Sequence, residues 1–175
     1  MKKLLYLAIG VITLLSAHAC QEKIAKNYNK IWVDDAGLAF IRNGAEGYLT
    51  VIKASGLAKK HSKNKRVLNF AKMMLDDHHK SLTGLKQLEA IKLVEEQDTI
   101  SMLHQQQISE LSRQSGNAFD KQYLQLMIAG HSEAIPTFTV AGQNADPDIS
   151  KFSGKALPMI RRHLDAANAI LSSLK

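Results

Sequence analysis

The chain has one cysteine, three prolines and few aromatics, 6% of its 175 residues. A single cysteine rules out intramolecular disulfides and any zinc or iron–sulfur site built from several thiolates. Three prolines and ten glycines leave no collagen-like or low-complexity architecture. There is no phosphate-binding glycine loop, dinucleotide fingerprint or serine-hydrolase elbow. No stretch alternates apolar and polar residues as a half-buried strand does. No apolar run reaches the roughly 20 residues that a membrane-spanning helix needs. What is present is 45% hydrophobic and 22% charged, the balance of a folded domain. Any chemistry must then come from His, Asp, Glu, Tyr and Lys.

The first nineteen residues read as a signal peptide. Lys2 and Lys3 precede the apolar segment Leu4 to Leu15, and Ser16-Ala17-His18-Ala19 supplies small residues before Cys20. Two cuts fit this boundary. The lone cysteine after small residues resembles a lipobox, which makes Cys20 a lipidated N-terminus. Ala17-His18-Ala19 equally suits ordinary signal peptidase, which leaves a free thiol. We read Cys20 as lipidated, residues 20–33 as a tether, and the chain as a protein of the cell envelope, periplasmic or on the outer membrane. The membrane, through that anchor, is the partner expected.

Removing Lys2 and Lys3 with the leader lowers the net charge from +7 to +5. Lys59, Lys60, Lys63, Lys65 and Arg66 cluster around His61, in a segment that reads as a solvated turn. Without interleaved aromatics it offers no stacking platform, so nucleic acid is not an expected partner.

Residues 34–175 read as all-α. Helices are expected over about 34–60, from an N-cap at Ser62 to about 94, over 101–114, from an N-cap at Asn117 to about 143, and from Asp146-Pro147 nearly to the end. Pro136 and Pro158 mark expected kinks. Four long helices, with one short helix before the third, predict an antiparallel four-helix bundle. At about 100° per residue, Val67, Ala71, Met74, Leu75, Leu82 and Leu85 share a face with His78. Asp120, Leu124, Met127, Ile135 and Phe138 share one with His131. Ile149, Phe152, Ala156, Ile160, Leu164, Ala167 and Leu171 share one with His163. Each histidine falls near the middle of its helix, and midpoints stay level whichever way neighbouring helices run. A central cluster of His78, His131 and His163 is therefore expected.

Asp77-His78, Phe119-Asp120 with Tyr123 and His131, and Leu157-Pro158 with His163-Leu164, in that order, resemble the bacterial envelope family known as domain of unknown function 4142. The resemblance implies a ferritin-like bundle on an exported protein, often a lipoprotein, and no established reaction. Members often carry an acidic residue where this chain has Gly130, and more acidic residues where Val51 and Lys53 stand.

Two-iron bundles need carboxylates from two helices and Glu-x-x-His pairs from the other two. No Glu-x-x-His occurs here. Asp76 points away from the face of His78, and Glu46 lies about 120° from the stripe Ile41, Ala45, Leu49 and Ile52. The candidate site is one divalent ion held by His78, His131 and His163, with Asp120 or Asp77 as ligand or hydrogen-bonded support. The competing reading is structural, each imidazole donating to a carboxylate or to a carbonyl freed by Pro136 or Pro158. Tyr123 and Asp120 are expected to pair, Met73, Met74, Met127 and Met159 to fill the core, and Gln105 to Gln107 to form an exposed face. The function that follows is non-enzymatic binding or stress tolerance in the envelope. The alternative is a small metal-dependent oxidase or peroxide-handling enzyme using the same histidines.

Overall fold

The computed structural model describes residues 32–174. The expected leader, Cys20 and nearly all of the tether lie outside these residues. Within them run five helices: α1 (Asp35–His61), α2 (Lys65–Lys92), α3 (Met102–Ser112), α4 (Gly116–Ala141) and α5 (Pro147–Leu171). No described residue forms a strand.

Local chemistry sets the ends. Asp34 caps α1, its carboxylate accepting from the Gly37 amide at 2.7 Å and from the Asn144 side chain at 3.0 Å. Gly37 is there because the chains pass closely: a Cβ at this position would lie 2.5 Å from Ile149 Cδ1. Ser62 ends α1, its amide donating to the Ala58 carbonyl, rather than starting α2. The cap of α2 is Asn64, which accepts from the Arg66 amide at 2.9 Å. Ser101 caps α3 and Asp146 caps α5 as the sequence indicates. The start of α4 differs: Gly116 takes φ +58°, which glycine adopts without a Cβ penalty, and the helix begins there after Ser115 rather than at an Asn117 cap. Neither internal proline ends its helix; α4 continues through Pro136 and α5 through Pro158.

The long helices form a square in which α1 packs on α2 and α4, and α5 on α4 and α2. Contacts at the two ends fix the directions. Asp34 meets Asn144, and Lys92 meets Asp146, at one end. His61 meets the Gln114 carbonyl, and Arg66 meets Ser173, at the other. Every adjacent pair is thus antiparallel, while α2 and α4, consecutive long helices, run the same way. Residues 93–115 must therefore climb the full bundle, and they carry α3 along the outside of α1 and α4. One such crossover is the connection found in ferritin-like bundles.

Two apolar clusters fill the interior. One, around Phe70, Met74, Tyr123 and Met127, lies toward the α1–α2 turn. The other, around Phe40, Tyr48, Leu85 and Phe138, lies toward the α4–α5 turn. Met73 stands on the surface instead of in the core.

Candidate metal centre

Between the two apolar clusters lie His78 of α2, His131 of α4 and His163 of α5, with only 3%, 3% and 1% of their surfaces exposed. The ring centroids are 5.4 Å apart for His78–His131, 5.2 Å for His78–His163 and 5.4 Å for His131–His163. One ring nitrogen from each lies within 4.8 Å of the other two.

Each ring is held by its second nitrogen. His78 Nδ1 lies 2.8 Å from the Met74 carbonyl and His131 Nδ1 lies 2.7 Å from the Met127 carbonyl. A carbonyl oxygen only accepts, so in both rings the proton sits on Nδ1 and the Nε2 lone pair is left over. These are carbonyls one helical turn back, not those freed by Pro136 or Pro158. His163 is reversed: its Nε2 lies 3.0 Å from Asp77 Oδ2, which places the proton on Nε2 and the lone pair on Nδ1. His131 Nε2 and His163 Nδ1 are buried without a hydrogen-bond partner among the described residues.

Burial keeps the cluster neutral. Loss of water, reinforced by the neighbouring histidines, pushes His78 down to about 3. Burial likewise lowers His131 to about 4, against the opposing bond to Met127. His163 is also lowered by burial, with the Asp77 carboxylate working against it. Neutral imidazole is the form that binds metal.

One nitrogen from each of three neutral imidazoles, their tautomers fixed by the bonds above, could hold a single metal ion. Bonds of about 2 Å to a tetrahedral ion would put the nitrogens about 3.3 Å apart, an inward shift of at most about 1 Å per ring. Asp77 meets the site only through His163. Asp120 does not reach it, because eleven residues at 1.5 Å rise set it about 16 Å along α4 from His131. Asp120 also does not pair with Tyr123 as the sequence led us to expect. The Tyr123 hydroxyl shares a 2.8 Å hydrogen bond with Ser55 of α1 instead. Asp76 stays on the surface, bound to Lys72 at 2.6 Å.

Sequence reasoning missed the α1 and α3 side of the site. The buried face of α1 holds Ile41 and Ala45 of the expected stripe, with Leu49 and Ile52 half-buried at its edge, and it extends beyond that stripe through Phe40, Gly44, Tyr48, Val51 and Ser55. Tyr48 therefore packs its ring edge-on against His78, with centroids 5.6 Å apart. Burial raises its hydroxyl, which faces Ser81 without closing a normal hydrogen bond. Glu46 accepts from His104 Nδ1 at 2.6 Å and from the Ser101 amide at 2.9 Å, clasping α3 to α1. Burial raises Glu46, but these bonds outweigh it and leave the carboxyl below its ordinary range. Gln107 turns its carboxamide oxygen inward, so the glutamine run is not wholly exposed.

A bundle closed by one long crossover, with three convergent histidines and no paired carboxylates at its centre, is a ferritin-like helical bundle without the ligands of a two-iron site. Residues 28–170 match the family described as a domain of unknown function, DUF4142, and the chain belongs to that family. No curated protein matches the chain. Among solved structures it is similar to the crystal structure of a DUF305 fragment from Deinococcus radiodurans. The TM-score is 0.73 at 13% identity, with 81% of this chain and 98% of that one covered. At that identity the likeness speaks to the fold alone.

Proposed function

We propose that this protein is exported to the cell envelope, is anchored there by a lipid on Cys20, and holds one divalent cation between His78, His131 and His163. It acts as a binding module rather than an enzyme. The observation that carries the metal reading is the tautomer pattern. Each ring donates one N–H to a fixed acceptor, which leaves one unprotonated nitrogen on each, and a ring nitrogen from each histidine lies within 4.8 Å of the other two at the middle of the bundle. A merely structural histidine has no need of a level partner on each of two other helices. Three imidazoles favour ions of the zinc, copper and nickel group over magnesium or calcium, which prefer oxygen ligands. The leader and the lone cysteine at its boundary support the envelope assignment.

Metal analysis of protein purified without chelator or metal-affinity resin tests the first part. One equivalent of a divalent transition metal, lost in His131→Ala, is the expected result. A metal-free protein that also fails to bind zinc on titration overturns it. Mass spectrometry of the mature N-terminus tests the anchor, and an unmodified Cys20 thiol in the soluble fraction refutes that part alone.

A further inference from the structure

A cavity of about 390 Å³ lies between α1 and α4 beneath α3. Its inner wall includes His78 and His131, and α3 contributes Leu103, His104 and Gln107. The volume falls in the range of small-molecule pockets, about 300–1,000 Å³. Two of the residues lining it carry a buried polar atom that faces no partner, Gln107 Oε1 and His131 Nε2. Buried polar atoms are nearly always paired, so two acceptors around one space point to an occupant that supplies the missing bonds.

The chemistry of the wall defines that occupant. Gln107 Oε1 and His131 Nε2 can only accept, because the proton of His131 is committed to Met127 on Nδ1. The occupant must therefore donate. The charged side chains of the lining are Glu46, Glu133 and any protonated His104; no lysine or arginine lines it. An anion would meet carboxylates and find no permanent cation. Glu46 is already satisfied by His104 and Ser101, and Glu133 is exposed at the rim. An organic cation drawn inward, unable to coordinate the imidazoles, would lose its water among Val51, Leu126, Phe138 and Ile160 without gaining a counter-ion. What fits is a neutral molecule with an apolar body and a hydroxyl donor.

We infer that this cavity is a binding site for a small neutral molecule of the phenol class, its ring against the apolar wall and its hydroxyl toward Gln107 and His131. This goes beyond the metal reading, since the unpartnered Gln107 belongs to no ligand set and the binding needs no ion.

The test is a calorimetric titration of phenol into the full mature protein after chelator treatment, with toluene and benzoate as comparison probes. Saturable one-site binding of phenol is expected, with toluene and benzoate each at least tenfold weaker. Gln107→Leu, on the outer helix, should weaken phenol about tenfold. Gly47→Leu should block it, since a Cβ at this lining position meets no atom within 4 Å and the side chain is free to extend into the space. Melting curves of both variants should match the parent, which separates loss of the site from loss of the fold. Absence of saturable phenol binding overturns the inference and assigns the two orphaned acceptors to water. Phenol binding unchanged in both variants, or benzoate bound as tightly as phenol, overturns it too. Because the protein is metal-free, failure of the metal reading would leave the result unaffected.

Discussion

Lowering the pH should unfold the metal-free protein along a slope that the buried histidines set. An unfolded histidine takes its proton near pH 6.5. In the fold, His78 resists protonation until about 3 and His131 until about 4. Between those limits the unfolded chain binds at least two protons that the native chain refuses, and His163, also lowered by burial, adds to them, so stability falls as the pH falls. Each such proton contributes about 1.4 kcal/mol per pH unit, and the pair about 3 kcal/mol per unit once well below pH 6.5. From pH 6 to 4.5 the loss is about 4 kcal/mol, a large part of the 5–15 kcal/mol that holds a typical domain together. Urea unfolding followed by helical circular dichroism, in chelator and at half-unit steps from pH 7.5 to 4, measures this directly. His131→Leu removes one of these protons and should cut the slope by about a third to a half over the same window, since His163 is lowered as well. A wild-type stability that stays flat from pH 7 to 4.5, or a His131→Leu slope equal to the parent's, would refute the reasoning.

Other perturbations have calculable outcomes. Lys92, with 1% of its side chain exposed, sits 2.5 Å from Asp146 and 3.0 Å from Asp148; Lys92→Met strands a buried carboxylate and should cost about 3 kcal/mol in urea unfolding, with little dependence on salt. Leu93 ends α2 at φ 53° with 76% of its surface exposed, so Leu93→Gly should raise stability by about 0.5–1 kcal/mol, read as a higher urea midpoint with an unchanged m-value. Asp77→Ala frees His163 Nε2 from its acceptor and should weaken zinc binding roughly 10–100-fold, while circular dichroism of the apo fold stays the same.

Helical phase was enough to bring the histidines together because His78, His131 and His163 each sit in a stripe of large apolar residues, where hydrophobicity and burial coincide. The same reasoning found Ile41 and Ala45 of α1 in the core but missed the neighbouring buried face through Gly44, Tyr48 and Ser55. Its contact surface is built partly from Gly44, Ser55 and Ala58, which bury because they are small and let helices approach, and a hydrophobic stripe gives such residues little weight. Tyr48 was lost with that face. Glu46 and His104 were out of reach for another reason. They meet only because the crossover after α2 carries α3 back along α1, a path that local periodicity does not encode. The Ser55–Tyr123 bond is of the same kind, joining two helices far apart in sequence. Asp120 was placed in the site by its face alone. Its height, three turns from His131, removes it.

The central claim is that three particular nitrogens share one ion, and a crystal of the zinc-loaded protein recorded at the zinc absorption edge tests it most directly. The account predicts a single anomalous peak at the middle of the bundle, about 2.0–2.1 Å from His78 Nε2, His131 Nε2 and His163 Nδ1, with Asp77 still hydrogen-bonded to His163 Nε2. Density that leaves the three imidazoles without an ion between them, while zinc occupies surface groups, would contradict it.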